Sequence, residues 1–180
     1  VLKREPKFDL ANEGLGRAYF QKKDFLLAER HFKKAIDQNH KLWMSYNFLG
    51  NIYDKKKEYE KAILEYTSAI AVKPDQGLLY NNLGVSCLLA GHNQAAIDAF
   101  SKALEKNYRE SRVFNNMAVA YANLGHYDDA TDAFRLIAHG LRGLVRFLGG
   151  VDIGHHDSGG AQIENPFETG RLVPGDADHG

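Results

Sequence analysis

The chain repeats itself every 34 residues, in register and without a gap, through four successive copies. Leu15, Leu49, Leu83 and Met117 form one column of the repeat. Gly16, Gly50, Gly84 and Ala118 form the next, followed by Tyr19, Tyr53, Cys87 and Tyr121. Further along each copy come Ala28, Ala62, Ala96 and Ala130, then Phe32, Tyr66, Phe100 and Phe134. A period of this length means stacked units, because one short unit cannot bury its own apolar face and must press it against a neighbour.

Within a unit the apolar spacing is helical. In the third copy it predicts a first helix from about Tyr80 to Leu89, a turn at Ala90-Gly91-His92, and a second helix from about Gln94 to Lys106. Turn signals fall at the same phase in every copy: Lys22-Lys23-Asp24, Lys56-Lys57-Glu58, Gly91-His92 and Gly125-His126. Pro74, a helix-stop residue, closes the second unit. Gly84 sits inside a predicted helix, where glycine costs about 1 kcal/mol relative to alanine. That cost is understandable if Gly84 and Ala96 lie where the two antiparallel helices of a unit cross and let the backbones approach. The bulky Tyr/Phe column is then expected to fill the gap to the next unit.

The motifs Tyr46-x-x-Leu49-Gly50-x-x-Tyr53 with Ala62-x-x-x-Tyr66, Ala69 and Pro74 resemble the tetratricopeptide repeat family. So do Tyr80-x-x-Leu83-Gly84-x-x-Cys87 with Ala96-x-x-x-Phe100 and Ala103, and the matching residues of the outer copies. The resemblance spans roughly Asp9 to Leu144. It implies an all-α fold, a right-handed superhelical solenoid of antiparallel helix hairpins. The units are 9–42, 43–76, 77–110 and 111–144, after an N-terminal extension of residues 1–8. Only the second copy has its terminal proline, and in the fourth Ile137 replaces an alanine. The pentatricopeptide family has a similar two-helix unit, but the Leu-Gly-x-x-Tyr signature favours the tetratricopeptide one.

After about His139 the composition changes. Ten of the 17 glycines lie between Gly140 and Gly180. Leu141, Leu144, Val145 and Leu148 could form a short capping helix, which solenoids need at their ends. The rest of 145–180 reads as an irregular, Gly-rich tail. Because the sequence starts at Val1 it reads as a fragment or processed form.

Composition narrows the function. Lysine plus arginine number 23, as do the acids, so the formal charge is zero and bulk electrostatic capture of nucleic acid or anionic lipid is not expected. No run approaches the roughly 20 apolar residues of a membrane span. The single cysteine, Cys87, excludes an intramolecular disulfide, which suits the cytoplasm, with the periplasm open if a signal peptide was removed. Cys87 occupies a large-apolar column and reads as a structural thiol. No catalytic constellation, metal site or cofactor motif is expected; His155-His156-Asp157 contains the only histidine pair. The lysine runs read as solvated surface.

In tetratricopeptide domains the first helix of each unit lines a concave groove. The resemblance therefore places Asn47, Asn51, Asn81, Asn82, Asn115 and Asn116 there, several of them repeating at the 34-residue step. An amide offers a donor and an acceptor, so it can hold a peptide backbone without selecting side chains. Leu78, Val85, Leu88 and Leu89 of the third copy are expected to face the same groove, near Met44, Phe48 and Val119. In the chaperone-binding subclass, a clamp of lysines, asparagines and an arginine grips a terminal carboxylate. Asn51, Asn82 and Arg112 match that clamp, whereas Asn47 and Asn116 stand where cations should be. The function expected is a non-catalytic protein–protein scaffold that takes a peptide segment of a partner in the groove. A self-associating structural or pilus/secretion-assembly component, and a targeting arm of a larger enzyme, are the alternatives.

Overall fold

The computed structural model describes residues 7–138, which form eight helices and, among those residues, no strand. They are α1 (Lys7–Gln21), α2 (Phe25–Gln38), α3 (Trp43–Lys55), α4 (Tyr59–Val72), α5 (Gly77–Leu89), α6 (Asn93–Glu105), α7 (Ser111–Asn123) and α8 (Tyr127–Ala138). The helices α3, α5 and α7 begin 34 residues apart, and so do α2, α4, α6 and α8. The expected all-α solenoid of helix hairpins is the fold observed. In the third hairpin, α5 starts at Gly77 rather than Tyr80, and α6 runs from Asn93 to Glu105, one residue earlier than the spacing predicts. The predicted cap at Leu141–Leu148, the tail and the His155-His156-Asp157 stretch lie outside the described residues.

Each first helix packs on the second helix of its own hairpin, and each second helix then packs on the first helix of the next, α2 on α3, α4 on α5 and α6 on α7. First helices also meet one another, α1 with α3 and α5 with α7. Side-chain hydrogen bonds join α3 to α5. The stack is thus tighter along the first helices, which line its inner face.

The glycine column is explained by aromatic rings. A Cβ built on Gly16, Gly50 or Gly84 would lie 2.8, 2.7 or 2.6 Å from the ring of Phe32, Tyr66 or Phe100 respectively. These rings are essentially fully buried. Each lies on the glycine of its own hairpin, which corrects the expectation that it mainly fills the gap to the next unit. Phe32 does both, because it also stacks on Phe48 of the second hairpin with centroids 5.0 Å apart. Tyr66 is held at its far end as well, its hydroxyl donating to Asp54 Oδ2 at 2.9 Å. In the fourth hairpin Ala118 already carries a Cβ. Its buried partners there are Ala130 and Ala133, and Phe134 is 48% exposed.

The turns inside the hairpins share one geometry. The residues Lys23, Lys57, Gly91 and Gly125 occupy equivalent places and all have positive φ, near 62°, 61°, 84° and 79°. After each, an amide reaches back to the first helix: Asp24 N to Tyr19 O, Glu58 N to Tyr53 O, His92 N to Cys87 O and His126 N to Tyr121 O. This is the Schellman ending, whose left-handed residue is usually glycine. A side chain in that conformation costs of order 1 kcal/mol, so Lys23 and Lys57 are strained where the later hairpins are not.

Replacing Gly50 by alanine should therefore lower stability by roughly 1–3 kcal/mol, the overpacking against a doubly held ring outweighing alanine's helix preference. Ala118→Gly should cost only about 1 kcal/mol. Thermal unfolding followed by circular dichroism checks both; a Gly50→Ala protein that melts at or above the parent temperature would contradict the ring-on-glycine account.

Candidate functional site

The inner face is a stripe with helical spacing. On α5 it consists of Leu78, Asn82, Val85 and Leu89, at i, i+4, i+7 and i+11. Leu78 is 39% and Leu89 52% exposed. The equivalent residues are Met44, Phe48, Asn51 and Lys55 on α3, and Arg112, Asn116, Val119 and Asn123 on α7. Val119 is 40% exposed. Apolar side chains and amides therefore share the face of three neighbouring helices, with Lys55 and Arg112 as its cations.

Of the residues singled out from sequence, Asn51, Leu78, Asn82, Val85, Asn116 and Arg112 lie on this stripe. Asn47, Asn81 and Asn115 lie beside it, in a column turned toward the next hairpin. That column begins with Glu13, which accepts a hydrogen bond from buried Ser45 Oγ of the second hairpin at 2.8 Å. Asn47 does the same in the second hairpin, its Oδ1 accepting from Asn82 Nδ2 of the third at 3.0 Å. Asn81 is 3% exposed and donates to Asn82 Oδ1 at 3.3 Å, while its own Oδ1 is buried without a hydrogen-bond partner. Asn115 is exposed. Leu88 is half-buried and, like Val85, packs against the core shared by the third and fourth hairpins. Asn51 Nδ2 donates to the Asn47 carbonyl one turn earlier at 2.9 Å. Arg112 is paired with Glu110.

A second tie lies under the stripe. Asp54 accepts from Ser86 Oγ at 2.7 Å and from Tyr66, so one carboxylate joins α3, α4 and α5. Burial pushes the Asp54 carboxyl above its usual range, and the Ser86 and Tyr66 hydroxyls offset some of that. Burial also raises the Tyr66 phenol and the Cys87 thiol, which disfavours thiolate chemistry at Cys87.

The lysines divide into two groups. Glu29 of α2 takes Lys33 at 2.7 Å, Lys56 and the Tyr53 hydroxyl at 3.1 Å, which bridges the first two hairpins. Burial alone would raise the Glu29 carboxyl, but these three donors hold it down to about 2. Lys61 is paired with Glu58. Lys22, Lys23, Lys55 and Lys57 form no ion pair with any described residue. Two of them border a pocket of about 510 Å³ at the turn-side end of the inner face, lined by Phe20, Gln21, Lys23, Phe25 and Lys55. Sequence reading missed this pocket. The one signal for it was the place of Lys23 and Lys57 in the column that holds glycine in the later copies.

Among the described residues no group of histidine, cysteine, aspartate and glutamate could hold a metal ion, and no helix is long and apolar enough to cross a membrane. Three family models match: one described as tetratricopeptide repeat over residues 11–40, one as TPR repeat over 50–91 and one as tetratricopeptide repeat over 88–143. The chain is a tetratricopeptide repeat protein, a family of generally non-catalytic protein-interaction modules. Solved structures of MamA are similar. One superposes with a TM-score of 0.72 at 23% identity, covering 81% of this chain and 85% of that one. MamA from Desulfovibrio magneticus RS-1, from residue 41 onward, gives 0.68 at 19% identity, covering 76% of each chain. A third, MamA MSR-1, gives 0.64 at 22% identity over 71% of this chain and 74% of that one. At these identities the likeness concerns the fold. No curated protein sequence matches the chain.

The Glu29 bridge has a pH signature. Its carboxyl titrates lower in the folded chain than its ordinary value of 4.5. The stability it contributes is thus present above that range and is lost as pH falls toward 2. Glu29→Gln should cost roughly 1 kcal/mol near neutrality, a drop of about 2–4 °C in Tm. The difference from the parent should shrink steadily below about pH 4.5. A gap that stays constant in thermal melts down the acid range would rule out the bridge as its source.

Proposed function

We propose that the inner face holds an extended or helical segment of a partner protein, making the chain a non-catalytic assembly scaffold. The observation that carries this reading is the stripe on which exposed Leu78 and Leu89 flank half-buried Asn82 and Val85, continued by Asn116 and exposed Val119 on the next helix. Exposed apolar groups gathered on one face favour a partner. The neighbouring amides can meet the backbone donors and acceptors that such a segment brings with it.

Backbone and apolar recognition fits this stripe better than capture of a terminal carboxylate. Gripping a carboxylate needs charge-assisted donors. Arg112 is already paired with Glu110. Asn47, where the clamp would have a cation, is bonded to Asn82 and bears no charge.

Asn82 also braces Asn47 and Asn81, so its removal would confuse binding with stability. The variant to use is Leu78→Ser/Leu89→Ser/Asn116→Ala. It removes exposed or half-exposed side chains and should shift Tm by only a few degrees. Peptides selected from a display library on the parent protein should bind this variant at least about tenfold more weakly. Their amide chemical-shift changes should fall on α3, α5 and α7. Shift changes confined to the second helices, or equal affinity for the variant, would overturn the groove reading.

A further inference from the structure

The pocket at the first two turns has a chemistry of its own. Its walls are two aromatic rings: Phe20 meets Phe25 edge-on with centroids 5.6 Å apart, and Phe20 leans on Phe48 in the same manner at 5.1 Å. It is an open hollow of about 510 Å³, room enough for one aromatic side chain. Around the mouth are cations. The Lys55 ammonium hangs 5.8 Å from the centre of the Phe25 ring, and Lys23 is a second lining cation. Asp54, whose charge bears on Lys55, is held by Ser86 and Tyr66, and the other nearby acids have partners of their own. Asp24 caps α2 through the Leu27 amide at 3.1 Å, Glu58 holds Lys61, and Glu29 holds Lys33 and Lys56.

The corresponding place between the second and third hairpins is bridged by a hydrogen bond. Where Phe20 stands in the first unit, the second has Asp54, which bonds to Ser86 across the seam. Phenylalanine cannot make that bond, and the first seam is left with an apolar hollow. One of the two lining cations, Lys23, is kept at a backbone cost, since it holds the positive-φ place that Gly91 and Gly125 fill in the later hairpins. Strain held at a site that a cheaper residue would relieve is a pointer to function.

We infer that this pocket is an anchor site for an aromatic side chain flanked by carboxylates on a partner's extended segment. The ring packs against the walls formed by Phe20 and Phe25, and the flanking carboxylates pair with Lys23 and Lys55, with Lys22 and Lys57 adding to the local field. The inference rests on the reading that the inner face takes a peptide, and it names the chemistry taken at one end of that face.

The test uses the full chain and a fluorescein-labelled peptide, Gly-Glu-Asp-Phe-Asp-Glu-Gly, followed by fluorescence anisotropy at low and high salt. Saturable binding is expected, weakening as salt screens the lysines. The control with alanine for phenylalanine, and the control with amides for the four acids, should each bind about fivefold more weakly or worse. Lys55→Glu should abolish binding. Lys23→Gly should weaken binding while raising Tm, because the cation is lost and the strained turn relaxes; a purely structural lysine would move only the Tm. Amide shift changes should centre on Gln21, Lys23, Phe25 and Lys55. Absence of saturable binding, equal binding of the amide control, or shift changes on Leu78 and Leu89 instead would overturn the anchor site, the last leaving the groove reading intact. Anchor binding together with indifference of library peptides to the Leu78/Leu89 variant would leave the anchor standing and remove the groove.

Discussion

An aromatic ring laid on a helix backbone is the contact on which this solenoid depends. Phe32, Tyr66 and Phe100 each cover a glycine that leaves no room for a methyl group. The contact sets how closely the two helices of a hairpin approach. It thereby fixes the face that each hairpin offers to the next. Everything else in the stack inherits its spacing from that step, including the inner stripe. Because each unit touches only its neighbours, the same local rule carried along the chain yields the superhelix without any long-range strand pairing.

Different chemistry then distinguishes one seam from another. The first two hairpins meet through Phe20, Phe25, Phe32 and Phe48, and through the Glu29 bridge on the side of the second helices. The second and third meet through Asn47 with Asn82 and Asp54 with Ser86. Aromatic packing leaves a hollow where shapes do not mate, and hydrogen bonds tie the second seam. The pocket is a by-product of that difference, and the lysines around it give it a preference of charge.

Much of this was legible in the chain itself. The 34-residue step gave the helix pairs and the turn phase, because columns such as Ala28, Ala62, Ala96 and Ala130 admit one packing role. What periodicity does not reveal is the direction in which a repeated residue points. Asn81 and Asn82 are neighbours, yet about 100° of helical rotation separates them. One is sealed in a seam and the other lies on the open face. The asparagines read as a single ladder therefore belong to two columns. The pocket was hidden for a related reason: a lysine run reads as solvated surface, and the meaning of Lys23 and Lys57 standing in a glycine column emerges once their positive φ is known.

The unmatched carbonyl of Asn81 bears on the mechanics of the stack. Glu13 and Asn47, its counterparts, each receive a donor from the following hairpin; Asn81 does not. Leaving such an oxygen dry costs about 1–3 kcal/mol. A small rotation of the last hairpin that admitted solvent or a neighbouring amide would recover that energy. At the junction between the third and fourth units this column therefore supplies no tie, and the apolar core around Phe100, Phe114 and Met117 holds the two hairpins together.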